Sequence, residues 1–349
     1  MVKIKLILFT LVIVLAGCGK KNDRPAENKS AQKDTTVVVK EEKHSGSFIF
    51  VGMIEHKPGL YRYNFATKKY EQFWSNYNEQ VVELSYSPDK KSLFFLTAGH
   101  FGKKSLFPYI TRVKLYQVYP DSSKVRFVKR IGDGIQVFTQ WEDNNNFKVI
   151  INRIDEIVAT HIYQQTYIYN VFGKEVLNEK EIFDITKSGY PRPKHKPENF
   201  NSPSGRYTLL NESKDTTQTY LVDLKKDDKY FITANEQLLN KFSWPMNEKY
   251  LVFSTVNLLA DNQKAKSKVP ETSTLILYNT AQHNIVKEWG GSGVKNFFIC
   301  DDLLIFDNGF LDNSSITIFD LRNLQPYDEI KIKRGCGLRN IPEIPNLRS

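Results

Sequence analysis

Short runs of alternating apolar and polar residues recur along the chain, and most of them end in Asn or Asp. The first is the run from 60 to 64. Alternation predicts a strand, and an Asn or Asp at its end bends the chain by bonding its own backbone two residues on. Each run therefore predicts a strand that enters a tight turn. The equivalent ends are Asn64, Tyr119 in a degenerate copy, Asn170, Asp223, Asn279 and Asp320.

A second motif, in which a proline turn leads into an apolar strand, precedes several of these runs. Its clear copies span 86–95, 201–210 and 242–253, and weaker copies span 141–147 and 300–303. Proline fixes φ at the second position of a turn, and Asp, Ser or Gly completes the reversal. One unit thus holds four antiparallel strands and recurs at intervals of roughly 40–55 residues, which is typical of β-propeller blades.

The turn Ser-Pro-Asp/Ser-x-Lys/Arg, followed by apolar residues, resembles the blade repeat of TolB-type propellers. The resemblance spans Ser47 to Lys333 and six units. It implies an all-β chain folded as a β-propeller with six four-stranded blades, seven blades being the alternative. It identifies no functional residue, because no functional residue of those propellers can be matched by motif to a position in this chain.

The first unit lacks its innermost strand, since it begins at 48–51, one strand before its hairpin. Pairing of the two chain ends would supply that strand and remove an exposed sheet edge. The C-terminal tail around Leu338 to Ile341 is the first candidate for this strand, and Val37 to Val39 is the second.

Two cysteines, Cys300 and Cys336, lie in the C-terminal part of the chain. In an oxidising compartment a disulfide between them would pin the tail to the sixth unit. Two buried free thiols are the alternative, and we favour it. Neither cysteine lies in a Cys-x-x-Cys pair, so the sequence predicts no redox or zinc motif.

The N-terminus has the layout of a secretory signal. Lys3 and Lys5 precede a short apolar run that ends in small residues before Cys18. The run is too short to cross a bilayer, which takes about twenty residues. Residues 15–18, Leu-Ala-Gly-Cys, resemble the lipobox of bacterial lipoproteins.

The lipobox resemblance implies that residues 1–17 are removed and that Cys18 carries an S-diacylglycerol and an N-palmitoyl group. Two or more acyl chains would give stable anchoring. Residues 18–46 are polar and lack apolar periodicity, so we expect a flexible, disordered linker. Residues 47–349 are expected to form the propeller domain with its C-terminal closing tail.

The formal charge of +10 is concentrated towards the chain ends. The linker and the residues after 330 are basic, whereas Ser47 to Ile330 is nearly neutral. This distribution fits attraction to an anionic membrane or wall polymer. Because an exported protein does not meet nucleic acid, we expect no nucleic-acid partner.

Known motifs predict no catalytic residue, no metal site and no cofactor. The glycine-rich segment 290–293 lacks the spacing of a nucleophile elbow. Residues 143–146 lack the alternating ligands of a calcium loop, so we interpret them as a turn. The six histidines are widely separated, and each is interpreted as a loop residue.

A basic, proline-rich loop joins the third and fourth units and is a candidate anion-binding segment. It contains Arg192, Lys194, His195 and Lys196, and prolines would hold these cations in place. It should lie at the face where the innermost strands begin. A solvated connector is the alternative, and we favour it.

Polar residues on the predicted innermost strands are candidates for lining a central channel. Their assignment depends on the phase of each strand, because a shift of one residue turns a side chain to the other face. They are Glu83, Gln136, Glu198, Gln237 and Asn296.

The sequence favours a lipid-anchored, extracytoplasmic lipoprotein that acts as a non-enzymatic binding or scaffolding propeller. Its expected partners are the membrane, through the anchor, and an envelope protein, peptide or polymer. A metal-dependent hydrolase or lactonase that uses the central channel is one alternative, and a structural envelope or spore protein is another. The expected location is the outer face of the cell membrane, with an outer membrane as the alternative.

Overall fold

The chain folds into six successive antiparallel sheets, which we number as blades 1 to 6. The computed structural model describes residues 44–104, 107–119, 122–189, 191, 201–213, 217–234, 237–257, 273–290, 296–310, 313–333 and 337–338. The predicted signal peptide, Cys18 and linker up to residue 43 lie outside these residues and remain predictions.

Blades 1 to 3 occupy the first half of the described chain. Blade 1 contains β1 (Ser47–Ile54), β2 (Lys57–Asn64) and β3 (Lys69–Trp74). Blade 2 contains β4 (Gln80–Tyr86), β5 (Leu93–Ala98), β6 (His100–Lys104), β7 (Phe107–Tyr119) and β8 (Lys124–Gly134). Blade 3 contains β9 (Gln136–Trp141), β10 (Asn146–Ile154), β11 (His161–Asn170) and β12 (Glu175–Asp184), followed by the short helix α1 (Ile185–Ser188).

Blades 4 to 6 repeat the pattern. Blade 4 contains β13 (Tyr207–Ser213), β14 (Thr217–Asp223) and β15 (Asp228–Ala234). Blade 5 contains β16 (Gln237–Ser243), β17 (Tyr250–Asn257), β18 (Ser273–Asn279) and β19 (Asn284–Trp289). Blade 6 contains β20 (Phe297–Cys300), β21 (Leu303–Phe310), β22 (Asn313–Asp320) and β23 (Gln325–Ile332). Within the described residues, no helix is long and apolar enough to cross a membrane.

Each blade is too thin to bury its own apolar faces, so it packs against neighbouring blades. Adjacent strand residues point to opposite faces, and Phe94 accordingly packs towards blade 3 while Phe95 packs towards blade 1. Among the described residues, five pairs of neighbouring blades share an apolar cluster with an aromatic pair across it. These pairs are Trp74–Phe95, Phe94–Phe147, Tyr207–Trp244, Trp289–Phe306 and Phe48–Phe298.

The cluster shared by blades 6 and 1 closes the series into a ring. Phe48 of β1 belongs to the same cluster as Ile318 of β22, although 270 positions separate them in the sequence. This arrangement confirms the all-β propeller that the repeats predicted. The last strand of a sheet is the most exposed, as β12 and β23 illustrate, so it is outermost and the first strand, at the opposite edge, is innermost.

The strand-end Asn and Asp residues form the predicted turns. The side-chain oxygens of Asn170, Asp223, Asn279 and Asp320 each accept a hydrogen bond from the backbone N–H two residues later, at 2.8–3.0 Å. The degenerate copy at Tyr119 differs, because it has no such side chain and its main-chain carbonyl accepts from Ser122 instead.

Lys333 and Gly337, which follow β23, bond to the inner edge of β1. Lys333 N–H donates to Met53 O at 3.0 Å, and Val51 N–H donates to Gly337 O at 2.8 Å. Leu338 is buried in the cluster shared by blades 6 and 1. A Cβ at Gly337 would come within 2.7 Å of Ile316, so the backbone approaches the core closely there. Residues from 339 onward, and Val37 to Val39, lie outside the described part.

We expect Leu338→Ala to lower the free energy of unfolding by about 2–3 kcal/mol, because it removes buried apolar volume at the ring closure. Leu224→Ala is the matched control, since Leu224 is half exposed on a turn, and should change stability by less than about 0.5 kcal/mol. Urea unfolding measures both. Equal effects of the two substitutions would contradict a stabilising role for the tail.

Candidate functional site

Buried polar side chains concentrate at one end of the propeller. We name the end where the innermost strands begin the upper end, and the opposite end the lower end. Near the upper end of the second strand in four blades, a polar residue interrupts the apolar sequence. These residues are Thr97, Asn152, Thr255 and Asp307, each no more than 1% exposed. A buried polar group is costly unless it is hydrogen-bonded, so their partners define what this end can do.

In three blades the partner comes from the start of the innermost strand. Thr97 donates to Glu79 at 2.9 Å, Asn152 donates to Gln136 Oε1 at 3.0 Å, and Asp307 accepts from Asn296 N–H at 2.9 Å. We call these six residues the upper polar ring. The repetition follows from topology, because the second strand ends beside the point where the first begins.

Glu79 is the charged centre of the ring in blade 2. It is 7% exposed and forms an ion pair with Lys114 on β7. Burial alone would raise the pKa of Glu79, but hydrogen bonds from Lys114 and Thr97 outweigh that cost and hold the pKa below its usual value. The carboxylate is therefore ionised and fixed at neutral pH.

Blade 3 carries a row of amides instead of charges. Asn152 is fully buried and donates both to Gln136 and to the carbonyl of Pro191, while Gln164 donates to its oxygen at 3.1 Å. The row thus holds Pro191, which directly precedes the predicted anion-binding loop, at the upper end of blade 3. Arg192, Lys194, His195 and Lys196 themselves lie outside the described residues, so their role remains a prediction.

Two arginines, Arg112 and Arg153, and the acid Asp133 lie above the interface between blades 2 and 3. The guanidinium of Arg153 donates to the carbonyls of Asp133 and Ile131 and to Gln165. The Asp133 carboxylate accepts from Arg112 N–H at 2.7 Å and from Tyr109 OH at 2.9 Å. The Arg112 hydrogen bond, which outweighs burial, lowers the pKa of Asp133.

The lower end is built from turns that bond to one another across blades. Ser204 Oγ donates to Glu248 at 2.7 Å between blades 4 and 5, and Asn247 donates to Asp302 at 3.4 Å between blades 5 and 6. Lys90 donates to the carbonyl of Ile299. These hydrogen bonds join blade 4 to blade 5, blade 5 to blade 6 and blade 2 to blade 6 at the lower end.

The first described residues also lie at the lower end. His44 Nε2 is 3.0 Å from Asp320 Oδ2, and its ring contacts Tyr327 edge-on at 5.0 Å between centroids. Burial would raise the pKa of Asp320, but hydrogen bonds from His44 and Arg322 hold it below its usual value. The chain therefore enters the propeller beside the β22–β23 turn.

The inner-strand candidates from the sequence have different positions. Gln136 and Asn296 belong to the upper polar ring, whereas Glu83 is buried within β4, where the register shifts between Val81 and Glu83. Glu198 and the side chain of Gln237 lie outside the described residues. Residues 143–146 form the predicted turn, in which Asp143 accepts from two backbone N–H groups.

Sequence reasoning missed Glu79, Thr97, Asn152 and Asp307. The signal was present, because each of the last three interrupts an apolar strand near its end. The pairing of Glu79 with Thr97 was not visible, since Glu79 precedes the strand that the alternation marks.

Cys300 has a free thiol, and burial raises its pKa. Cys336 lies outside the described residues, so the proposed disulfide remains a prediction.

The described residues contain no group of three or more metal-ligating side chains. Fixed hydrogen-bonding groups and cations above them suit recognition of a polar ligand.

The sequence matches no family model and no curated protein. Solved structures similar to the chain include TolB from Acinetobacter baumannii, with 8% identity over 83% of this chain and 64% of that chain and a TM-score of 0.40. A putative 6-phosphogluconolactonase from Bacteroides fragilis shows 12% identity over 83% and 96%, with a TM-score of 0.43. A nidogen/laminin complex shows 10% identity over 84% and 97%, with a TM-score of 0.40. Similarities at this level carry no argument about activity.

We expect Glu79→Gln to lower the free energy of unfolding by about 1–3 kcal/mol at pH 7, because it leaves Lys114 without its charged partner. The depressed pKa of Glu79 means that its stabilisation is complete above the unfolded value, about 4.3, and is lost as the pH falls through the folded value. The difference from wild type should therefore shrink in acid.

Urea unfolding at several pH values measures this effect, with Glu71→Gln on the exposed face of β3 as the control. A difference between wild type and Glu79→Gln that stays constant down to strong acid would contradict the ionised pair.

Proposed function

We propose that the protein is a lipid-anchored, extracytoplasmic binding or scaffolding propeller that takes its ligand at the upper end. The observation that carries the proposal is the contrast between the two ends. Turn groups at the lower end bond to one another across blades, whereas the upper end carries a layer of buried, paired polar side chains with the exposed Arg112 above it. The ligand class expected from the sequence is an envelope protein, peptide or polymer.

The entry point of the chain supports this assignment. His44 is bonded to Asp320, and Gly46 O accepts from Phe65 N–H at 3.1 Å, so the first described residues are held at the lower end. The described chain thus begins at the end opposite the proposed binding face, and that face is free of the first described residues.

The metal-dependent hydrolase and the structural envelope protein remain the alternatives. A hydrolase would hold a divalent ion in the channel, so elemental analysis of the purified protein separates it from a binding propeller. One tightly held calcium or zinc ion per chain would favour the enzyme.

The anchor predicts the behaviour of Cys18→Ser. This variant should lose labelling by an alkyne palmitate analogue and should shift from the detergent phase to the aqueous phase on phase separation, because no acyl chain is attached. Cys336→Ser is the matched control and should remain labelled. Palmitate labelling of Cys18→Ser at the wild-type level would contradict the lipoprotein assignment.

The binding face predicts where a partner is crosslinked in native cells. A photoreactive phenylalanine analogue replaces Ile157, on the upper β10–β11 loop, or Met246, on the lower β16–β17 turn. Both side chains are highly exposed, at 92% and 84%. We expect a discrete crosslinked product from position 157 that mass spectrometry identifies and that position 246 does not give.

Crosslinking from position 246 alone would assign the binding face to the lower end. If neither position gives a crosslinked product, the proposal is contradicted.

A further inference from the structure

Arg112 has an unusual backbone conformation at the upper end of blade 2. Its φ is +53°, in the left-handed region that bulky residues avoid. Other non-glycine residues with positive φ in the described chain lie in tight turns, whereas Arg112 lies inside a strand, β7. The register of β7 against β8 shifts between Ile110 and Val113, so Arg112 is part of a bulge.

The hydrogen bond that holds this conformation goes to the backbone N–H of Arg112 and not to its guanidinium. The Asp133 carboxylate accepts from Arg112 N–H and from Tyr109 OH, and so fixes the backbone instead of pairing with the guanidinium. Strained residues of this kind cluster at functional sites.

The guanidinium of Arg112 lies against Gly99. A Cβ at Gly99 would come within 2.2–2.6 Å of Nε, Nη2 and Cζ of Arg112, so a glycine is required for this contact. Gly99 separates β5 from β6, and its N–H donates to Thr111 O at 2.8 Å. Within the described residues, the guanidinium makes no hydrogen bond or ion pair, and Arg112 is exposed.

Two charged side chains near Arg112, those of Glu79 and Arg153, already have hydrogen-bonding partners. Glu79 is bonded to Lys114 and Thr97, and the guanidinium of Arg153 is occupied by carbonyl groups and Gln165. Among the described residues Arg112 is therefore an unpaired cation, and it lies close enough to Glu79 to help lower the pKa of that carboxyl after burial and its hydrogen bonds are counted. The negative charge of Glu79 favours a monoanion over a dianion at this position.

We propose that Arg112 is the ligand-recognition residue of the upper end and binds a carboxylate. Its planar fork matches a carboxylate through two parallel N–H···O bonds, and the fixed backbone reduces the entropy lost on binding. This inference rests on the proposed function, because it assumes that the upper end is the binding face. It adds the chemistry of the ligand: a peptide or polymer bearing a free carboxylate.

A purely architectural role makes a different prediction. If the bulge only bends the β6–β7 hairpin away from the blade, glycine would serve better, since it adopts positive φ without steric cost. Arg112→Gly should then be harmless to binding. Under the proposal, Arg112→Gly leaves the melting temperature unchanged or raises it. The same substitution abolishes binding of a carboxylate probe, N-acetylglycine.

The test follows the Nε–Hε NMR signal of Arg112 in the full-length protein in detergent, with the signal assigned by its loss in Arg112→Lys. The probes are N-acetylglycine and N-acetylglycine amide, which differ only in the carboxylate, and inorganic phosphate at matched ionic strength. We expect a saturable shift with N-acetylglycine, no shift with the amide and a smaller shift with phosphate. Arg130→Lys, an exposed neighbouring change on β8, should keep the response.

No shift with N-acetylglycine, or equal shifts with the acid and the amide, would overturn the carboxylate site. A larger shift with phosphate would overturn the choice of ligand. A steep fall in the melting temperature of Arg112→Gly would also overturn the proposal, because it would show that the side chain serves stability through its contact with Gly99. Each outcome is independent of crosslinking at position 157, so failure here leaves the binding face itself standing.

Discussion

Closure of the ring is the constraint on which the rest of the structure depends. A single sheet exposes an apolar face on each side, and burying a large apolar side chain is worth roughly 1.5–3 kcal/mol. Phe94 and Phe95 show the consequence within one strand, because each needs a different neighbouring blade. A blade at an open end of the series would leave one of these faces in water, so blades 6 and 1 must meet.

The polar residues at the upper end are compatible with this apolar architecture because they are paired. Thr97, Asn152 and Asp307 would each destabilise the interior if left unbonded, and each has a partner from the adjacent innermost strand. The pairing makes the upper end rigid. A rigid face costs less entropy when it orders a ligand, and this links the packing of the blades to the proposed function.

Local chemistry explains which features were predictable. The turns at Asn170, Asp223, Asn279 and Asp320 depend on contacts two residues apart, so sequence pattern was sufficient. The candidate site was predictable only in part. Gln136 and Asn296 were identified from strand position, but a register shift beside Glu83 changed the phase of β4. A bulge is set by packing against the next strand and leaves little trace in the alternation.

The amino-acid sequence by itself determined the repeating four-strand unit, its turns and the all-β class, because each follows from alternation and side-chain-to-backbone bonds over a few residues. It also predicts an acylated Cys18, through the resemblance of residues 15–18 to a lipobox. Only the tertiary structure decided which residues meet at the upper end and that Arg112 lies against Gly99 with no partner for its guanidinium in the described part of the chain. Those contacts join strands that are distant in sequence, and their geometry depends on how the blades pack around the ring.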